Sequence, residues 1–254
     1  MPRIDVVTCT RPDSDIAVYL GRLALQHAID HMRLRGMAID DLVGDDAVRT
    51  RVLTSLAVTD SVFFLGCGHG NEDVFTGQNL NRIFWTCDNV QLRGRVAYML
   101  SCTTARRLGP DSVNVKGCVC YLSYDEVFAW IQDEIQDPLV DKYARGFFEP
   151  VLELIYRLAD GYTAGEAFRA SIDKWNEWID YWSRSPDPLA PVVLMLLLHD
   201  RDCQKLIGDE TARVSSAIPW PWWPLALALG TAPMAIVGGV VYTEEARKMG
   251  WVKV

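Results

Sequence analysis

The sequence predicts an α/β fold in which a mostly parallel sheet is flanked by helices. The first observation is a pair of apolar runs, residues 61–70 (SVFFLGCGHG) and 95–102 (RVAYMLSC), each typical of a buried strand. The second is the helical spacing of apolar residues between positions 16 and 32. The third is the predicted order strand, helix, helix, strand, which is the crossover pattern of parallel sheets.

The N-terminal part contains a predicted strand over residues 4–8, followed by a helix. Ser14 suits the N-cap of this helix, and Gly36 suits its end, because glycine readily adopts the conformation that terminates many helices. Residues 45–57 form a second predicted helix, which leads directly into the strand at 61–70. Helices therefore connect the first two predicted strands.

Both central strands end at residues with reactive side chains. One ends in His69-Gly70 and the other in Ser101-Cys102. In an open α/β sheet the carboxyl ends of parallel strands are where ligands bind. We therefore expect the imidazole of His69 and the thiol of Cys102 to lie side by side.

This pair of residue types is what nucleophilic catalysis by cysteine requires. A neighbouring histidine can take the thiol proton and later return it to a leaving amine. The backbone N–H groups of Gly70 and Cys102 are candidates for an oxyanion hole, and a glycine lets a substrate carbonyl approach the main chain. No lysine follows the glycines at 66–70, so the run does not match a phosphate-binding loop.

Two acidic residues follow the next predicted strand, residues 117–123. Asp125 and Glu126 would lie at the same sheet edge as the candidate catalytic pair, where they could bind a basic substrate side chain. The alternative is that they are ordinary acids at a helix N-terminus.

Most of the later part of the domain reads as helical. Residues 138–184 carry apolar stripes at helical spacing, and Thr163 with Glu166 forms a capping box. Residues 191–198 (PVVLMLLL) are wholly apolar and too few to span a bilayer, so we predict a central strand there.

The ordered blocks resemble the caspase, gingipain, legumain and separase clan of cysteine peptidases, which includes the bacterial CHAT peptidases. The resemblance covers residues 3–214 and includes the His-Gly and Ser-Cys strand ends, block 103–126 and the stretch 206–214 (LIGDETARV). That last stretch resembles a "GDPT" turn, with Glu210 where proline is usual. His69 and Cys102 are 33 positions apart, against roughly 50 in caspases, so the gingipain and CHAT branches fit better.

The resemblance implies a peptidase domain over residues 1–214. It implies a cysteine endopeptidase with Cys102 as nucleophile and His69 as general acid and base, acting on protein or peptide substrates without metal or organic cofactor. No third catalytic residue can be assigned from the sequence. A regulated role in defence or programmed death is implied by the resemblance alone.

The composition limits the classes of partner and ligand that the protein is expected to bind. The net charge of −8 and the pI near 5.0 argue against a nucleic-acid partner, which requires clustered Lys and Arg. Seven scattered cysteines, an odd number, indicate reduced thiols in a cytoplasmic compartment. The pairs Cys118/Cys120 and His27/His31 lack the further ligands that a zinc site needs, so we expect no metal.

Residues 215–254 form a distinct hydrophobic tail. Its segment 225–242 holds 18 uncharged residues, which as a helix would run about 27 Å, close to the roughly 30 Å of a hydrocarbon core. Tryptophans precede the segment and basic residues follow it, as at membrane interfaces. We predict a transmembrane helix with the catalytic domain in the cytoplasm, and the small residues of the segment could support a homo-oligomer. The alternative is a tail docked on a folded domain.

Two other functions are compatible with the same sequence. One is a catalytically inactive caspase-like module that binds or signals. The other is a membrane-perforating effector in which the tail acts and the globular domain is its trigger.

Overall fold

The computed structural model describes residues 5–134 and 136–214. The strands are β1 (Val6–Arg11), β2 (Ala38–Val43), β3 (Phe63–Cys67), β4 (Val74–Thr76), β5 (Arg82–Trp85), β6 (Val96–Leu100), β7 (Cys120–Tyr124) and β8 (Gln204–Gly208). The helices are α1 (Ile16–Leu34), α2 (Arg49–Val58), α3 (Leu108–Asn114), α4 (Arg145–Ala159), α5 (Ala164–Ser183) and α6 (Ala190–Cys203).

Six of these strands form one central sheet in the order β2-β1-β3-β6-β7-β8. Neighbouring strands are parallel from β2 to β7, and β8 joins β7 in the antiparallel direction. Strands β4 and β5 form a separate antiparallel hairpin. The predicted α/β fold with a mostly parallel sheet is therefore confirmed.

Each face of the sheet has its own hydrophobic core. Along β6, Tyr98 and Leu100 belong to the larger core with α1, α4, α5 and α6, whereas Ala97 and Met99 belong to the smaller core with α2 and the hairpin. This division follows from the two-residue period of a strand, whose successive side chains point to opposite faces. Because both faces are covered, β3 and β6 are buried throughout their length.

Two details of the N-terminal part differ from the prediction. The N-cap of α1 is Asp15 rather than Ser14: its carboxylate accepts hydrogen bonds from the N–H groups of Ala17 and Val18. The edge strand β2 was not predicted, because its sequence AIDDLV contains two acids and is only partly buried. One of these acids, Asp41, pairs with the buried Arg11 of β1.

The prediction of a central strand at residues 191–198 is wrong. The segment lies within α6, with Pro191 in the first turn, where proline fits without loss of a helical hydrogen bond. Its Leu and Met residues are good helix formers, and one side of the helix is exposed, for example Met195. The strand that completes the sheet, β8, follows α6 without a loop. By contrast, the capping box of Thr163 and Glu166 at the start of α5 is confirmed.

The predicted transmembrane segment at residues 225–242 lies outside the described residues. Within residues 5–134 and 136–214, no helix has the length and apolar character to cross a bilayer. The predicted domain boundary at residue 214 coincides with the last described residue and stays a prediction.

Candidate active site

His69 lies just beyond the carboxyl end of β3. The ladder with β6 continues for one residue past the strand, because the Gly68 N–H donates to the Leu100 carbonyl at 3.2 Å. The carbonyl of His69 then accepts from both the backbone N–H and the hydroxyl of Thr76, at 2.9 and 3.0 Å. The backbone of His69 is therefore fixed on both sides, while 41% of its side chain remains exposed.

Cys102 occupies the corresponding position two residues beyond β6. A buried chain of hydroxyl groups supports the turn that carries it: Ser101 Oγ lies 3.0 Å from Thr104 Oγ1, which lies 2.7 Å from Ser123 Oγ. Thr103, directly after the cysteine, has a positive φ of 54°, a costly conformation for a β-branched residue. Its N–H donates to the carbonyl of Glu126, which helps to hold this conformation.

The two turns are in direct contact at Gly70. A Cβ atom at this position would lie 2.6 Å from the carbonyl oxygen of Cys102 and 3.1 Å from Cβ of Ser101. The first distance is too short for a Cβ atom and the second is unusually tight, so glycine allows the turn after His69 to pack closely against the turn that carries Cys102. The assignment of the Gly70 and Cys102 N–H groups to an oxyanion hole stays a prediction.

His69 and Cys102 line the same cavity, which has a volume of about 50 Å³. The cavity lies between the first turns of α1, the ends of β3 and β6, and an aromatic wall made of Phe128, Trp130 and Phe148. Both residues of the predicted catalytic pair therefore line one cavity, and their catalytic roles stay a prediction.

Asp15 is the member of this site that the sequence did not reveal. Its Oδ2 accepts a hydrogen bond from His69 Nε2 at 2.7 Å, while its Oδ1 caps α1. The two residues are 54 positions apart. The only local signal was an acid at the N-terminus of the first helix, directly after a strand that ends at the same sheet edge.

The surroundings of Asp15 and of the Cys102 thiol shift the pKa values of these two groups in opposite directions. Burial opposes ionisation of Asp15, but hydrogen bonds from His69 and from the N–H groups of Val18 and Ala17 outweigh it and lower the pKa of Asp15. Burial raises the pKa of the Cys102 thiol, although a hydrogen bond from the backbone of Phe128 partly opposes the effect. The thiol is therefore protonated at neutral pH, whereas Asp15 is a carboxylate.

Asp125 and Glu126, the predicted substrate-binding acids, do lie just past β7 at this edge. Asp125 pairs with Lys205 at 3.2 Å, and Glu126 pairs with Arg106, which also binds Glu72 at 2.8 Å. We call these five residues the ion-paired flank. None of them lines the cavity beside Cys102.

His27 and His31, the histidine pair of α1, bind carboxylates rather than a metal-ligand cluster. His27 and His31 bind Asp137 and Asp160 at 2.6 and 2.7 Å. Across the described ranges, no three His, Cys, Asp or Glu side chains are grouped as a metal site would require. All seven cysteines are free thiols, of which Cys87 is exposed.

Comparison with solved structures identifies the fold. No family model and no curated protein sequence matches the chain. The Arg-specific cysteine proteinase gingipain R (RgpB) is similar over 84% of this chain, with a TM-score of 0.57 and 11% identity. The complex of the Porphyromonas gingivalis RgpB pro- and mature domains is similar over 85%, with a TM-score of 0.55 and 9% identity. The similar region spans about half of those chains, 48% and 49%. The chain therefore has the α/β fold of the caspase and gingipain clan of cysteine peptidases, as its sequence blocks predicted.

Proposed function

We propose that this protein is a cysteine endopeptidase in which Cys102 is the nucleophile and His69 the general acid and base. The observation that carries the proposal is the shared cavity: His69 and Cys102 line it together, at the carboxyl edge of the sheet. Asp15 is a positioning residue, because it contacts His69 and leaves the reacting atoms to the other two.

The hydrogen bond to Asp15 determines which imidazole nitrogen can act as the base. Nε2 of His69 faces the Asp15 carboxylate and therefore carries a proton. Nδ1 is left as the acceptor for the thiol proton. Because burial keeps the Cys102 thiol neutral, proton transfer to Nδ1 accompanies the attack of the sulfur on the substrate.

The full reaction needs only these residues and water. The sulfur forms a bond to the carbonyl carbon of the scissile peptide, and the carbonyl π electrons move to its oxygen, which backbone N–H groups stabilise. Collapse of this intermediate breaks the C–N bond, and His69 gives its proton to the leaving amine. Water, deprotonated by His69, then hydrolyses the thioester and releases the second peptide with the free thiol.

Labelling by an electrophilic peptide probe tests this proposal. We expect the wild-type protein to be modified at Cys102 and the His69→Ala variant to be labelled at least about 10²-fold more slowly. Cys87 is the internal control, since it is exposed and should react with a small alkylating reagent equally in both proteins. Equal rates at Cys102 in the wild type and His69→Ala would contradict a catalytic pair.

The membrane location is a separate part of the proposal, and it rests on the uncharged segment 225–242. We propose that this segment anchors the peptidase, whose role would then be regulated cleavage of proteins near a bilayer. The measurement is carbonate extraction of membranes that contain the full chain or a chain ending at Ser216. We expect only the full chain to stay in the pellet, and the anchor is disproved if both are released.

A further inference from the structure

The cavity beside Cys102 has an apolar lining, which the proposed catalytic pair does not explain. We propose that it binds an apolar substrate side chain of about leucine size, so that the enzyme cleaves after such a residue. This inference rests on the proposed function and names its substrate class.

The lining of the cavity is almost entirely apolar. Ala17 and Val18 of α1 contribute to it together with Phe128, Trp130 and Phe148 of the aromatic wall. Among the described residues, no Asp, Glu, Lys or Arg side chain lines it. The second thiol in the lining, Cys67, is also neutral, because burial raises its pKa to about 12.

A charged substrate side chain would find no partner in this cavity. Asp125 and Glu126 are already paired with Lys205 and Arg106 and lie outside the lining. The nearby Asp15 binds His69 and the N-terminus of α1. Moving an unpaired Lys, Arg or Asp side chain out of water into an apolar site is strongly unfavourable, so the cavity selects against all three.

The volume of the cavity sets the size of the side chain. A water-sized group needs roughly 10–15 Å³ of such space, so the cavity of about 50 Å³ holds roughly four non-hydrogen atoms. A leucine or methionine side chain has this number of atoms. An aromatic ring is larger and would have to displace the aromatic wall.

Contacts with α6 hold the aromatic wall in place, so the cavity can select substrate side chains by size. Helix α6 binds the wall segment on both sides of Phe128: His199 Nε2 donates to the Val127 carbonyl at 2.9 Å, and Asp200 accepts from the Ala129 N–H at 3.1 Å. The ring of Phe128 also packs on Phe148, with centroids 5.8 Å apart. A preformed wall of this kind does not adapt readily to a larger ring.

Kinetics on a matched set of peptides tests the inference. The peptides differ only at the residue before the scissile bond, which is Leu, Met, Phe, Arg, Lys or Asp, and the full chain is assayed with Cys102→Ala as the inactive control. We expect kcat/KM for Leu and Met to exceed that for Arg, Lys and Asp by about 10²-fold and that for Phe by about tenfold. A highest value for Arg, Lys or Asp, or equal values for all six, would overturn the inference.

A pair of tryptophan variants tests whether this cavity is the selecting site. Trp130 and Trp178 are both half-buried, and each indole N–H donates to one side-chain oxygen, at 3.1 and 2.9 Å, but only Trp130 lines the cavity. Trp130→Ala should raise the Phe-to-Leu ratio of kcat/KM by about tenfold, because it opens the wall. Trp178→Ala should leave the ratio unchanged. Equal ratios in both variants would assign selection to another part of the molecule.

The two proposals fail in different ways. His69-dependent labelling of Cys102 together with cleavage after Arg would retain the peptidase and overturn the apolar pocket. Absence of His69-dependent labelling, with no cleavage of any peptide, would overturn both.

Discussion

The two flanks of the candidate site differ in the number of charged side chains and in what those side chains bind. The pocket flank, made by α1 and the aromatic wall, is apolar and concentrates its polar groups at Asp15, His69 and Cys102. The ion-paired flank carries three carboxylates, yet each of them is bound to Arg106 or Lys205 on a surface open to solvent. The acids that follow β7 therefore pair with basic residues, whereas the carboxylate that binds His69 comes from the start of α1.

The flanks differ in what their carboxylates contact rather than in exposure, because the side chains of Asp15 and Glu126 are 42% and 46% exposed. Exposed ion pairs are screened by water and typically contribute little to stability. Asp15, by contrast, binds the proposed general acid and base, His69, directly at 2.7 Å. We therefore expect one neutralised carboxylate on the pocket flank to cost far more activity than one on the ion-paired flank.

Replacement of Asp15 by Asn should give the largest effect. Asparagine caps helices as well as aspartate does, so Asp15→Asn keeps α1 but removes the negative charge beside His69. We expect kcat to fall by about 10²-fold with KM nearly unchanged, because the lost interaction supports proton transfer rather than binding. Steady-state kinetics with a Leu-containing peptide measures this effect.

The matched control is Glu126→Gln, an equal loss of charge on the ion-paired flank. Its kcat should remain within about twofold of the wild type, since its partner Arg106 stays bound to Glu72. A comparable loss of kcat in both variants would show that the two flanks do not differ. A loss confined to KM in Asp15→Asn would contradict the positioning role.

Asp200, behind the aromatic wall, should give a smaller effect that depends on pH. Its carboxyl is fully buried, and Oδ2 has no hydrogen-bond partner among the described residues. Burial raises the pKa of Asp200 well above the ordinary range. The folded state therefore keeps its proton at a pH where the unfolded chain has released it, so stability falls as pH rises above about 4.

The Asp200→Asn variant has no ionisable group at this position, so its stability should not fall in this way as the pH rises. We expect the free energy of unfolding of the variant to gain on the wild type as the pH rises from 4.5 to 7.5, by at most about 1.4 kcal/mol per pH unit, measured by urea denaturation. Asp202→Asn is the control, because Asp202 is exposed on the same helix and pairs with its neighbour Arg201. Identical pH profiles for the wild type and Asp200→Asn would show that Asp200 is ionised in the folded protein.

The sequence predicted the parts of the site that depend on local patterns. The buried runs ending at His69 and Cys102 were recognised as strands, and parallel strands place their carboxyl ends at one edge. The capping box of Thr163 and Glu166 was also recognised, because both partners lie within one helical turn. Such patterns involve residues that are close in sequence, so they can be recognised without knowledge of the fold.

The sequence was less informative where a contact partner was distant or a pattern was ambiguous. The short apolar run at 191–198 fits a buried strand or a helix equally, and only its packing on α5 and the following strand β8 decides between them. The ion-pair partners of Asp125 and Glu126 could not be predicted either, because Lys205 and Arg106 come close to them only in the folded chain.

By itself, the sequence determined the class of fold and the two residues expected to carry the chemistry, because strand period and strand ends are local properties. The tertiary structure alone decided that Asp15 binds His69 and that the acids after β7 are paired away from an apolar cavity. The physical reason is that hydrogen bonds and ion pairs act over a few ångströms in space. Which distant side chains come within that range depends on how the helices pack against the sheet.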